Sequence, residues 1–330
     1  MVNIFGTSNS VGENGPPGPP GTGGIKDLIL WFPAMMCEQV RKNLNFLTLL
    51  IETISPERDP DVELSANNTV TKWKPFNDCE HTFLSPVDKG VGGELKLITQ
   101  PLKRYGLVFD RKKENMYIMR GPHSFLMLRS YKVLLTMTFL AGVYDSDNDD
   151  AEEFIANDHD PKSQSMRGVS IKPKANEKFD LYLHGARGKD GEKNRLKIGE
   201  NIKMNFFYTL QVYWGGRDLN GFYQFYKDGK VLMDKTYFQF TDLPDERFDP
   251  TFYLGGFNAS TNERVVKSKL FTGIISNVEI LKIHPEKPPI PEDLLRFIVQ
   301  KQIIKNVNPW NHDWIKEVSE PPASKRRKVT

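Results

Sequence analysis

The stretch Phe222-Tyr223-Gln224-Phe225-Tyr226-Lys227-Asp228-Gly229-Lys230-Val231-Leu232-Met233 decides the fold. Two aromatic and apolar runs flank Asp228-Gly229. Asp-Gly between such runs is the strongest local hairpin signal, because a type I′ turn needs positive φ at both central residues. Just upstream, Asn205-Phe206-Phe207-Tyr208-Thr209-Leu210-Gln211-Val212-Tyr213-Trp214 is another aromatic and β-branched run. Downstream lie Phe252-Tyr253-Leu254-Gly255-Gly256 and Gly273-Ile274-Ile275-Ser276-Asn277-Val278-Glu279-Ile280.

The same texture reaches back toward residue 105. Tyr105–Phe109, Met116–Met119, Phe125–Leu128, Lys132–Leu140 and Phe179–Leu183 all read as short strands. No helical pattern alternates with them. The expected class is therefore all-β, an antiparallel sandwich over residues 101–284.

Residues 106–282 resemble the laminin G / concanavalin A-like superfamily. Three pieces carry the resemblance, in the family's usual order. They are the aromatic strand Tyr208–Trp214 with the hairpin around Asp228-Gly229, the paired glycines Gly255-Gly256, and the closing phrase Phe271-Thr272-Gly273-Ile274-Ile275-Ser276-Asn277-Val278-Glu279-Ile280. The resemblance implies two curved sheets in a jelly roll, with binding at rim loops or on the concave face. The family holds glycan- and matrix-protein-binding modules, often with rim calcium, besides some glycosidases and plain structural domains. Fold alone does not choose among these.

The flanks read differently. Glycine recurs at 12, 15, 18, 21 and 24 within residues 1–24, with Pro-Pro in two of the triplets, a collagen-like pattern. Two readings fit it: a short triple helix, or an extended linker. The same run imitates a P-loop, but Gly24 and Ile25 stand where that loop needs Lys and Ser/Thr. In residues 25–54, Met36, Val40, Leu44, Leu47 and Ile51 mark one helical face. It would serve either a homotrimeric bundle or packing on the chain's own domain. Residues 55–100 read as a connector with a few short strands. After a proline-rich spacer, Leu294, Leu295, Ile298, Val299 and Ile303 predict a C-terminal helix within residues 285–330. Both termini are expected to be disordered.

Composition sets limits. The 330 residues carry 38% hydrophobic side chains, enough for a real core, and 45 basic against 42 acidic residues. A net charge of +3 does not by itself imply nucleic acid. Two cysteines, Cys37 and Cys79, exclude a disulfide-dense scaffold and leave open whether they pair. No apolar run reaches the roughly 20 residues of a membrane span. Met1 to Gly24 lacks the basic and apolar regions of a signal peptide. That pattern suits a cytosolic, nuclear or virion protein, or an extracellular fragment without its leader.

Chemistry-bearing clusters are few. Asp145, Asp147 and Asp149, within Asp145–Glu153, open like an EF-hand, yet Asp150 replaces its glycine and Ala156 its closing glutamate. A rim calcium site and a solvated acidic loop both remain open, so calcium is the one cofactor in view. Arg187, Lys189, Lys193 and Arg195 form a basic glycine-rich loop, suited to an anionic glycan or phosphate or to an ordinary exposed connection. Lys325, Arg326, Arg327 and Lys328 form a nuclear-targeting-like tail, the one feature suggesting nucleic acid. The six histidines have no zinc spacing, and no G-x-S-x-G elbow or E-x-D-x-x-E strand occurs. The expectation is a non-catalytic recognition or assembly protein for a glycan or protein ligand, in the manner of a viral structural or attachment protein. The alternatives are an extracellular-matrix or adhesion module and a degenerate glycan hydrolase.

Overall fold

The computed structural model describes residues 50–54, 62–65, 69–73, 83–86, 92–98, 104–120, 126, 132–142, 152–160, 165–185, 195–215, 220–240, 251–256, 269–283, 292–300 and 315–317. Among them the strands are β1 (Leu50–Ile54), β2 (Val62–Leu64), β3 (Val70–Trp73), β4 (Phe83–Pro86), β5 (Leu95–Ile98) and β6 (Arg104–Phe109). Next come β7 (Tyr117–Arg120), β8 (Lys132–Ala141), β9 (Glu153–Asp160), β10 (Ser165–Lys174), β11 (Lys178–His184) and β12 (Arg195–Lys203). The series continues with β13 (Phe207–Trp214), β14 (Asn220–Lys227), β15 (Lys230–Gln239), β16 (Thr251–Leu254), β17 (Gly273–Ile283) and β18 (Ile315–Glu317). One α-helix, α1 (Glu292–Gln300), is described.

Two antiparallel sheets form the sandwich expected from the sequence. Sheet I runs β15-β14-β13-β8-β17-β6-β5-β18, with β1 also on β17; sheet II runs β12-β11-β10-β9-β16-β7-β4-β3-β2. The hairpin that opened the reading is present. Lys227 pairs with Lys230, and Asp228 and Gly229 take φ of 54° and 77°.

Alternate residues of each sheet meet in one core. Sheet I contributes Leu135, Met137 and Phe139 of β8, Tyr208, Leu210 and Val212 of β13, and Ile275, Val278 and Ile280 of β17. Sheet II contributes Val169 and Ile171 of β10, Phe179, Leu181 and Leu183 of β11, and Phe252 and Leu254 of β16. Phe139 is the hub, with the rings of Phe179, Tyr208, Phe225 and Phe271 centred 6.4–6.5 Å away. The early strands are tied in by the buried Tyr117 hydroxyl, which donates to the Val70 carbonyl (2.8 Å) and accepts from the Gly93 N–H (2.7 Å).

The sandwich begins earlier than the expected residue 101. Ile51, assigned by its spacing to a helical face, lies in β1 and pairs with Leu281 of β17. The apparent connector supplies β2 to β5. Apolar spacings of three and four over a short run do not exclude a strand when a neighbour offers a ladder, and here β17 does. Past residue 284, β18 pairs with β5. The collagen-like run, Met36 to Leu47, Cys37, Cys79 and the basic tail lie outside the described residues.

Candidate functional site

Residues at the ends of the acidic and basic stretches singled out in the sequence, Glu152 and Arg195, meet on the outer face of sheet II. Asp145, Asp147, Asp149, Arg187, Lys189 and Lys193 lie outside the described residues, but the last residues of both stretches are placed. Arg195 is not in a loop; it starts β12, opposite His184 of β11. Glu152 directly precedes β9. On the face turned away from the core, Arg195 Nε donates to Glu152 Oε1 at 3.2 Å, and its guanidinium lies 3.7 Å from the Tyr182 ring centre. His184 Nε2 lies 3.0 Å from the same carboxylate oxygen and 2.8 Å from Ser170 Oγ, and Ser170 also donates to Glu152. Burial works to raise the Glu152 carboxyl, yet the His184 and Ser170 hydrogen bonds and the His184 and Arg195 charges hold it down to about 2.

This trio has the residue types of a hydrolytic triad without its geometry. A relay needs the nucleophile and the acid on opposite imidazole nitrogens. Here both meet Nε2, and Ser170 is fully buried. The arrangement can hold the bases of two oppositely charged segments together. It has no route for passing a proton from Ser170 through the ring to Glu152.

Glu153 turns to the other side of the sheet. Its Oε1 accepts from Arg111 Nη2 at 2.8 Å and its Oε2 from the Thr272 N–H at 3.1 Å. Burial pushes this carboxyl up to about 7, and the Arg111 charge and the Thr272 N–H pull it back only in part. Adjacent glutamates facing opposite sides cannot flank one glycosidic bond, which needs its two carboxyls about 5–10 Å apart around it.

Deeper in the sandwich, Asp158 accepts from the Leu126 N–H, while Arg167 Nη1 donates to the Leu126 carbonyl at 2.9 Å. Arg167 lies 5.8 Å from the Trp214 ring centre, and burial lowers its guanidinium to about 10 against the pull of Asp158.

The second polar constellation lies on sheet I, on its face away from the core. Strand registers place Glu279, Thr136, Gln211 and Gln224 in one row across β17, β8, β13 and β14. Asn277, Thr138, Thr209 and Tyr226 form the next row across the same strands. All eight side chains are buried. Thr138 and Thr209 hydroxyls lie 2.9 Å apart, Gln211 Nε2 donates to Thr136 Oγ1 at 3.3 Å, and Tyr226 donates to Gln224. Two amide oxygens, Gln211 Oε1 and Asn277 Oδ1, have no hydrogen-bond donor among the described residues. Buried polar groups normally find partners. Two orphaned acceptors on one hydroxyl- and amide-lined face leave part of its hydrogen-bonding capacity unused.

Helix α1 packs on β13 over this face. The Leu295 carbonyl accepts from Gln211 Nε2 at 3.2 Å, and Lys235 Nζ of β15 meets Glu292 Oε2 at 2.7 Å. Sequence reading marked the strands but not the rows. Thr136-x-Thr138 and Thr209-x-Gln211 interrupt the outward faces of apolar strands, and only pairing across four strands brings them together.

Among the described residues no group of three His, Cys, Asp or Glu side chains is placed to hold a metal ion, and no helix is long and apolar enough to cross a membrane.

No family model and no curated protein matches the sequence. Similar solved structures include a Shewanella oneidensis protein of unknown function, SO2946 (8% identity, 77% of this chain, 96% of that one, TM-score 0.43). A second is the heptameric SAP-like pentraxin of Limulus polyphemus (10% identity, 62% and 76%, TM-score 0.34). A third is the binding domain of botulinum neurotoxin serotype D (10% identity, 76% and 50%, TM-score 0.43). Likeness at this level transfers no residue's role to this chain.

Proposed function

We propose that this chain is a non-catalytic recognition module for a hydroxyl-rich ligand of the glycan class. It would bind on the polar rows of sheet I. The observation that carries the reading is the pair of buried amide oxygens, Gln211 Oε1 and Asn277 Oδ1, left without donors among threonine, glutamine and tyrosine side chains. A sheet face kept only for packing is better served by apolar side chains, since each unsatisfied buried acceptor costs about 1–3 kcal/mol. Sugar hydroxyls would supply the missing donors, and the flanking Phe222 and Tyr213 rings, stacked at 5.2 Å, offer an apolar border. The finer setting, a multivalent structural or attachment protein such as viruses use, rests on the collagen-like run and basic tail, read from sequence alone.

The test is a screen of the full chain against immobilised neutral and acidic oligosaccharides. Affinity for the best hit is then compared in wild type, in the double variant Thr138→Val/Thr209→Val, and in Asn277→Ala. At least a tenfold loss in both variants, with native circular dichroism, is expected. Unchanged affinity in both refutes the site. Loss on Arg195→Ala instead would move binding to the rim at Glu152 and His184.

A further inference from the structure

We infer that helix α1 is a displaceable cover over the polar rows of sheet I, so that ligand binding and helix release are coupled. The inference rests on the reading of those rows as a ligand face and adds its regulation.

Three observations carry it. First, the helix is short. It has nine residues, about two and a half turns, a length that is marginal as a helix without tertiary support. Among its described side chains, Leu295, Ile298 and Val299 are buried while Glu292, Arg296 and Gln300 are exposed. Secondly, its two polar anchors among the described residues are weak. One is the 3.2 Å bond from Gln211 Nε2 to the Leu295 carbonyl; the other is the Lys235–Glu292 pair, whose side chains are 24% and 42% exposed and therefore screened by salt. Thirdly, the closed arrangement leaves a polar demand unmet. With α1 in place, Gln211 spends its amide nitrogen on Thr136 and on the helix, while its Oε1 has no donor.

Gln211 is the point of exchange. It sits in the row of Glu279, Thr136 and Gln224, on β13 beneath the helix, and its side chain already contacts both Thr136 and the Leu295 carbonyl. A ligand whose hydroxyls donate to Gln211 Oε1 gains a bond that the closed state lacks, and must displace the Leu295 carbonyl to reach it. Affinity is then reduced by the fraction of molecules in which the cover is closed. By linkage, ligand favours the open helix to the same degree that opening favours ligand.

The experiment uses the full chain with cellotetraose, xylotetraose and galactotetraose as probes. Glu292→Lys reverses an exposed charge that pairs with Lys235 and Arg296 and acts on the Tyr226 hydroxyl, and turns the Lys235 attraction into repulsion. Val299→Asp expels the helix more strongly. Calorimetric affinity for whichever probe binds should rise two- to fivefold in Glu292→Lys and at least tenfold in Val299→Asp. In wild type, hydrogen exchange at residues 295–299 should be at least a hundredfold faster than at Leu210 and Val212 of β13, and faster still with probe bound. Equal affinity in wild type and both variants overturns the cover while leaving the ligand face intact. Helix amides as protected as β13 overturn it too, and do so even where Val299→Asp fails to fold. Absence of binding by all three probes in every variant overturns the ligand face itself, and the cover with it.

Discussion

Replacing Glu152 with glutamine tests whether the sheet II edge is held by charge. Glutamine keeps the shape and one acceptor oxygen for Ser170, His184 and Arg195, so the change removes little besides the negative charge. The Glu152 carboxyl is held at about 2 in the fold against an ordinary 4.5. That gap of about 2.5 pH units, at about 1.4 kcal/mol for each, is worth about 3 kcal/mol at pH 7. Because the folded value is the lower one, the contribution is complete above pH 4.5 and disappears as pH falls through 2. At pH 3 about 1.5 kcal/mol should remain. Urea unfolding of wild type and Glu152→Gln at pH 7, 5 and 3, followed by tryptophan fluorescence, gives the difference directly. A loss of about 3 kcal/mol that narrows with acid supports the ionic tie. A loss under about 0.5 kcal/mol at every pH, the range of an ordinary surface change, refutes it.

Three other outcomes follow from the geometry. Glu153 behaves oppositely to its neighbour. Its folded value of about 7 lies above 4.5, so its stabilisation is complete below pH 4.5 and lost as pH rises through 7. The wild-type advantage over Glu153→Gln should shrink by about 3 kcal/mol between pH 4.5 and 8 in the same assay. Phe139→Ala empties the centre of four surrounding rings and should cost about 3–5 kcal/mol by urea denaturation. Gly255→Ala places a methyl group on the Phe109 ring at a φ of +80°, and should lower stability by at least about 2 kcal/mol in thermal melts.

What the sequence made legible was the apolar half of the fold. β13, β14, the Asp228-Gly229 turn and β17 announce themselves because their side chains are aromatic or β-branched and their turn residues have one conformational use. β9, β10 and β12 do not. Glu153–Asp160 and Arg195–Lys203 carry carboxylates, amides and lysines at positions where alternation would show, and the strand signal is lost beneath them. They pair in chain order, β9 to β10 to β11 to β12, and only the β9–β16 ladder joins them to a strand far along the chain. Arg195 looks like loop chemistry in the sequence until β11 takes it as a partner. The polar rows of sheet I were the least legible feature. Their eight residues are scattered from Thr136 to Glu279, and only strand order makes them neighbours.

The order of the strands within each sheet also bears on synthesis. β16, four residues long, is the only link among the described strands between the β9 side and the β7 side of sheet II. β17 sits between β8 on one side and β6 and β1 on the other in sheet I. Both keystones come late in the chain, at residues 251–254 and 273–283. Among the described strands a nascent chain emerging from the ribosome therefore holds five open edges, β1, β6, β7, β8 and β9, until its last quarter appears. Long-range closure of this kind is slow, and unpaired edges are where nascent β-proteins aggregate. Such a chain needs either slow release or a holding chaperone while β16 and β17 are being made.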